Sequence, residues 1–182
     1  GQAVTNEQVV KEMFCYQCEQ TAGGTGCTVR GVCGKSADVA ALQDLVVAAT
    51  KHVALNAHKA RQLGARDREI DAFVVEALFT TVTNVDFDPE RLADEFRKAR
   101  AMRDKARALY EETCARAGTS PEPDTNPLAD APETLEGMIK LGREFSVTKR
   151  REKYGDDVAG LQEVLTYGLK GAATYMDHAR VL

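Results

Sequence analysis

Four of the five cysteines lie within the first 33 residues, in the pattern Cys15-x2-Cys18-x8-Cys27-x5-Cys33. The same short stretch also carries five of the fourteen glycines, at positions 23, 24, 26, 31 and 34. A segment this rich in glycine loses too much backbone entropy to be a stable helix, and it allows sharp turns and close approach to a ligand. We therefore predict that residues 13–35 form an irregular loop that presents four thiols.

Composition favours metal binding over disulfides for these cysteines. The chain has 182 residues, of which 43% are hydrophobic, so it has enough apolar content for a core without covalent cross-links. The first twelve residues show no apolar stretch of signal-peptide type, and the cytoplasm is the expected compartment. Thiols remain reduced there and are available to a metal.

Two classes of partner are disfavoured by the same composition. The formal net charge is −4, with no excess of cations to neutralise nucleic-acid phosphates. No apolar run approaches the roughly 20 residues that cross a bilayer. We therefore expect neither a nucleic-acid nor a membrane partner.

The cysteine spacing favours an iron–sulfur cubane. A cubane has a thiolate at each of its four irons, so its ligands wrap around it, and glycine-rich backbone can donate N–H groups to the sulfurs. A structural zinc site of four cysteines usually has two Cys-x2-Cys pairs, and only one is present here. Two alternatives stay open: a zinc-stapled helical interaction module, and a redox sensor whose cluster disassembles.

Beyond the loop, apolar residues recur at three- and four-residue spacing, and we predict an all-α fold of helical bundles. A helix begins after the N-cap Ser36 and ends near Gly64, with Val39, Leu42, Leu45, Val46, Ala49, Val53 and Ala60 facing inward. Further helices are predicted over 67–84, from Asp88-Pro89 to about Gly118, over 132–144, and from Asp156 or Asp157 to the C-terminus. The basic stretch 149–153 is interpreted as a solvated face or loop. The predicted organisation is an N-terminal extension or tag remnant (1–12), the cluster loop (13–35), a first bundle (36–118), a Pro-rich linker (119–131) and an incomplete second bundle (132–182).

A faint internal repeat relates the two ends of the helical part. Residues 42–46 (LQDLV) match residues 161–165 (LQEVL) at an offset of 119, and Lys51 then falls on Lys170. The second copy lacks the helix that follows the first copy, so we expect the chain to be a fragment or another chain to supply that helix. The apolar stripe of the last helix, with Gly168 and Gly171 permitting close approach, is predicted to dock on the first bundle or to form a homodimer.

Several short motifs resemble the hybrid cluster protein family, also called the prismane or hydroxylamine reductase family. They are residues 13–22 (MFCYQCEQTA), 26–28 (GCT), 31–35 (GVCGK), 41–45 (ALQDL) and 165–171 (LTYGLKG). The resemblance implies that Cys15, Cys18, Cys27 and Cys33 bind a 4Fe–4S cluster in an N-terminal helical domain. It further implies electron relay from a donor protein to a hybrid cluster, where hydroxylamine or nitric oxide is reduced.

The resemblance also implies what this chain lacks. The ligands of the hybrid cluster come from α/β domains that follow the helical domain in the family. We therefore assign no catalytic residue here and expect the chain to be inactive alone. Cys114, His52, His58 and His178 have no ligand partner at a suitable spacing, and we interpret them as packing or surface residues.

Overall fold

A computed structural model describes residues 13–18, 20–82 and 84–181. The described residues form six α-helices: α1 (Ala37–Gln62), α2 (Arg68–Thr80), α3 (Pro89–Arg116), α4 (Leu135–Arg143), α5 (Val147–Tyr154) and α6 (Asp156–Val181). They contain no strand beyond one isolated pair of bridging residues. The all-α prediction is confirmed, and the predicted extension 1–12 lies outside the described residues.

Helix boundaries follow the capping residues. Ser36 Oγ accepts the backbone N–H of Val39 at 3.2 Å, as predicted for the N-cap of α1. Asp88 caps α3, whose first residue is proline. The helix predicted over 67–84 ends earlier, at Thr80. There Thr81 donates its hydroxyl hydrogen to the carbonyl of Leu78 at 2.8 Å, a side-chain bond that competes with the continuing helix.

Helices α1 and α3 provide most of the core. All seven α1 residues that were predicted to face inward are buried: Val39, Leu42, Leu45, Val46, Ala49, Val53 and Ala60. The first six pack with Leu92, Phe96 and Ala99 of α3 and with Ile70 and Phe73 of α2, while Ala60 packs with Tyr110 and Cys114. This core fixes the N-terminal end of α1, which directly follows the cysteine segment.

The proline-rich segment and α4 also pack on this core. Leu128, Ala131 and Met138 are buried in the same apolar cluster as α1 and α3. Arg107 of α3 donates to the carbonyl of Glu122 at 2.9 Å, which ties the segment along that helix. Helix α4 therefore packs on the same core as α1 and α3. The division into a linker that ends at residue 131 and a second bundle stays a prediction.

The last two helices differ in how they are covered. Helix α5 contains the basic stretch, which is helical with most of its side chains exposed. Helix α6 packs against α2 and α5, and its buried residues are Ala159, Lys170 and Ala173. Its apolar stripe is open to solvent in the single chain, with Leu161 72% and Tyr175 79% exposed. Among the described helices, none combines the length and hydropathy that a membrane crossing requires.

Candidate functional site

The backbone of the N-terminal segment brings Cys15 and Cys27 side by side. Cys15 N–H donates to the Cys27 carbonyl at 3.0 Å, and Cys27 N–H donates to the Cys15 carbonyl at 2.7 Å. Met13 N–H extends this pairing to the carbonyl of Thr28 at 3.2 Å. In an antiparallel pair, directly opposed residues point to the same face. The first and third cysteines of the motif therefore project together.

A tight turn connects the second cysteine to this pair. Thr21 N–H donates to the carbonyl of Cys18 at 3.2 Å, and Thr21 Oγ1 donates to the carbonyl of Cys15 at 3.1 Å. Gly26 then has a φ of +138° and lies against the ring of Phe14, where an added Cβ would be 2.7 Å from a ring carbon. Glycine is required at this position because both the backbone conformation and the contact exclude a side chain.

The sulfur of Cys27 receives hydrogen bonds from the loop. Ala22 N–H donates to Cys27 Sγ at 3.4 Å, and Thr21 Oγ1 lies 3.7 Å from the same atom. These groups, led by the Ala22 N–H and followed by the Val32 backbone, lower the pKa of the Cys27 thiol, and the charge of Lys35 acts in the same direction. Hydrogen bonds to sulfur stabilise the thiolate, which is the form that binds metals.

Cys33 lies in a second tight turn, in which Gly34 N–H donates to the carbonyl of Gly31 at 2.9 Å. An added Cβ on Gly31 would be 3.0 Å from Cys33 Sγ, so this glycine leaves room for the sulfur. All four cysteines are free thiols in the structure. Within the described ranges, no three His, Cys, Asp or Glu side chains converge on the position of a single metal ion.

The donor set is chemically suited to a cluster. Four thiols lie on one irregular segment whose backbone N–H groups already point at a sulfur, and glycine allows close approach. Because each iron of a cubane takes one thiolate, its ligands surround a volume and do not have to meet at one point. The residues therefore fit the group that the spacing predicts.

A group of charged residues lies behind Cys15, and two of them, Lys35 and Lys170, are buried. Lys35, Asp44 and Lys170 line a cavity of about 30 Å³ together with Cys15, and the Arg150–Glu163 ion pair also lines it. Burial raises the pKa of Asp44 to about 7, and the charge of Lys170 opposes this shift. Burial also lowers the pKa of Lys170 to about 8.

This charged group was not predicted. The internal repeat contained a signal for this charged group. An acidic residue at position 44 and a basic residue at position 51 recur at positions 163 and 170, so in each copy the two residues are seven positions apart on one helix face. Gln43 Oε1 and Arg150 Nη1, which line the same cavity, are buried without a hydrogen-bond partner among the described residues. The cavity has room for at least one water that could satisfy them.

The fifth cysteine and the histidines, which were interpreted as packing or surface residues, lie elsewhere. Cys114 is 1% exposed and packs with Ala60 and Tyr110 at the far end of α1. His178 contacts the ring of Phe79 edge-on at 5.9 Å between centroids. Burial lowers the pKa of His52, which lies on α1. Their placement agrees with the packing and surface roles predicted for them.

Fold and site together define an all-helical protein in which a four-cysteine segment precedes the first long helix. The chain belongs to the Prismane/CO dehydrogenase family, whose sequence model matches residues 13–182. It is 50% identical over 171 residues to the hydroxylamine reductase of Rhodospirillum rubrum. The corresponding enzymes of Geobacter sulfurreducens and Geobacter metallireducens are 49% and 44% identical over 173 residues.

Family membership indicates an iron–sulfur protein related to the hybrid cluster proteins, in agreement with the resemblance carried by the cysteine motif. Each of the three matches covers 93% of this chain and 31% of the relative. The chain thus spans about a third of the length of the curated relatives that it matches.

Proposed function

We propose that this chain is the cubane-binding electron-transfer part of a hybrid cluster protein. Cys15, Cys18, Cys27 and Cys33 would hold a 4Fe–4S cluster, which accepts and releases one electron at a time when bound. The observation that carries the proposal is the pairing of Cys15 with Cys27, together with the N–H donor aimed at the Cys27 sulfur.

The chain's own residues have defined tasks in this proposal. The backbone of the loop holds the thiols and donates to sulfur, which favours thiolate ligands and tunes the cluster. Phe14 is partly buried, and its ring centroid lies 5.4 Å from that of the exposed Tyr16, so this aromatic pair limits water access on one side. The helical core supports the loop through α1, which keeps the ligand geometry fixed during electron exchange.

We propose that hydroxylamine reduction, the activity in the relatives' name, requires the longer protein. We propose that an electron-donor protein reduces the cluster, and that the electrons pass to a hybrid cluster outside this chain, where hydroxylamine or nitric oxide is reduced. The purified chain should exchange electrons without turning over hydroxylamine. We also retain the cytoplasm as the proposed compartment.

The exposed stripe of α6 is the proposed contact surface for the remainder of such a protein. Leu161, Val164 and Leu165 are apolar and each at least 65% exposed. An exposed apolar patch of this kind usually marks an interface. When the chain is by itself, we propose that it forms a homodimer through this face. Sedimentation at increasing protein concentration measures the oligomeric state, and a monomeric mass at every concentration would contradict the dimer.

Metal and sulfide analysis tests the cluster itself. The chain, purified or reconstituted without oxygen, should contain iron and acid-labile sulfide in equal amounts and absorb in the visible. Zinc without sulfide would support the interaction module instead. Loss of iron during cycles of oxidation and reduction would support the redox sensor instead.

Two buried cysteines provide a matched pair of variants. Cys27→Ser should lose most of the iron, because a harder oxygen donor replaces a thiolate. Cys114→Ser changes an equally buried thiol in a separate apolar cluster and should keep it. Equal iron content in the two variants would remove Cys27 from the ligand set.

A further inference from the structure

Lys35 is the largest fully buried side chain described, at 1% exposure. A lysine ammonium is almost never buried without a partner, because removing the charge from water is costly. Among the described residues, no carboxylate oxygen lies within salt-bridge distance of its Nζ. The ammonium instead donates to Cys15 Sγ at 3.8 Å and lies 5.9 Å from the ring centroid of Phe87.

The backbone on both sides holds Lys35 in this position. Gly31 N–H donates to the carbonyl of Lys35 at 2.8 Å, which closes the turn that contains Cys33. On the other side, Ser36 caps α1 and fixes the first turn of that helix. An added Cβ on Gly31 would be 3.0 Å from Lys35 Cβ, so the turn packs directly on the lysine stem. The charge is therefore placed by the fold and does not depend on a mobile surface side chain.

We infer that Lys35 is a built-in cation that raises the reduction potential of the cluster, an inference that rests on the proposed function. An electron that enters from a low-potential reductant makes the cluster one unit more negative, and no bond is formed or broken. A buried cation beside a ligand sulfur attracts the reduced state more strongly than the oxidised state, with little screening by salt. Charge and hydrogen bonds at the sulfurs are established determinants of cluster potential.

A neutral variant of similar shape tests this role. Lys35→Met removes the charge and keeps an unbranched apolar stem. At the wild-type midpoint potential, the ratio of reduced to oxidised cluster should fall by about tenfold, because the lost interaction is close and buried. For a one-electron couple this corresponds to a shift of about 59 mV to lower potential. Redox titration followed by electron paramagnetic resonance measures it.

Lys59 provides the matched control. It also lies close to an aromatic ring, 5.8 Å from the centroid of Tyr110, but it is near the opposite end of α1. At 1.5 Å per residue it is about 33 Å from the start of that helix. Lys59→Met should therefore leave the midpoint potential unchanged.

Iron and sulfide content separates the possible failures. If the wild-type chain binds no cluster, the proposed function is wrong. If Lys35→Met carries a full cluster at an unchanged or higher potential, the role of Lys35 is wrong. Lys35→Gln is a second neutral variant and should lower the potential in the same direction. Loss of the cluster from both neutral variants would assign Lys35 a structural role and overturn the inference.

Discussion

The crossing of α4 over α1 is close enough to predict the effect of a single methyl group. Gly142 is buried against the backbone of α1, and a Cβ added there would be 2.1 Å from the carbonyl oxygen of Ala41. Non-bonded heavy atoms pack at roughly 3.5–4.0 Å, so the helices would have to separate by more than about 1 Å. Because the obstacle is backbone, no change of side-chain rotamer relieves it.

Gly142→Ala should therefore destabilise the fold. Overpacking of a core costs about 1–3 kcal/mol, and the higher helix propensity of alanine returns up to about 1 kcal/mol. We expect a net loss of about 2 kcal/mol in the free energy of unfolding, since the clash lies at the upper end of that range. Gly160→Ala on α6 is the control, because nothing lies within 4 Å of its added Cβ and Gly160 is not among the residues of the proposed interface. It should gain about 0.5–1 kcal/mol.

Urea denaturation followed by circular dichroism measures both variants against the wild type. The expected result is a lower midpoint for Gly142→Ala and a higher midpoint for Gly160→Ala, with unchanged slopes. Equal or greater stability of Gly142→Ala would refute the close packing of α4 on α1. It would favour the alternative predicted from the sequence, in which residues 132–182 start a separate bundle.

Two further predictions concern the surroundings of the cysteine segment. The pKa of Asp44 is about 7 in the folded chain and 3.8 ordinarily. The contribution of its protonated form to the stability of the fold is therefore complete below pH 3.8 and is lost as the pH rises to 7. Between these two pH values, the free energy of unfolding of the wild type should fall by up to about 1.4 kcal/mol per pH unit relative to that of Asp44→Asn. Parallel pH profiles of the two proteins would contradict this prediction. Gly26→Ala should lower iron retention because its Cβ meets the Phe14 ring, whereas Gly24→Ala, which has a φ of +70° but open space, should retain more iron. Equal retention would show that backbone strain alone limits this loop.

Periodicity was sufficient to predict the main helices and the buried face of α1. Val39, Leu42 and Leu45 are apolar at helical spacing, and a 3.6-residue period places them on one side. The basic stretch 149–153, interpreted as a solvated face or loop, forms an exposed part of helix α5. The available signal was its N-cap: Ser146 Oγ accepts the N–H of Lys149 at 3.2 Å.

The cysteine spacing and glycine content predicted an irregular segment, and the described part of 13–35 contains only a short 3-10 turn at Ala22–Gly24 and the isolated bridge between Cys15 and Cys27. The spacing could not predict which sulfurs receive hydrogen bonds, since this depends on the Cys15–Cys27 backbone pairing. Nor could it predict the burial of Lys35. Lysine is usually exposed, and only the folded chain shows that this one lies between a turn and a helix start.

The repeat has a consequence for how α6 lies relative to α1. Asp44 and Lys51 are seven residues apart on α1, and Glu163 and Lys170 have the same separation on α6, so each pair occupies one helix face. Asp44 of the first copy and Lys170 of the second line the same cavity, where the charge of Lys170 opposes the rise in the pKa of Asp44 that burial causes. The other buried residues of α6 are Ala159 and Ala173, so Lys170 is its one buried polar side chain among the described residues. Lys170 Nζ donates to the carbonyl of Thr81 at 3.3 Å, and a shift of α6 by one turn would break this buried hydrogen bond. Lys170 thereby ties α6 to the end of α2 and, through the cavity that it lines together with Cys15, to the surroundings of the cysteine segment.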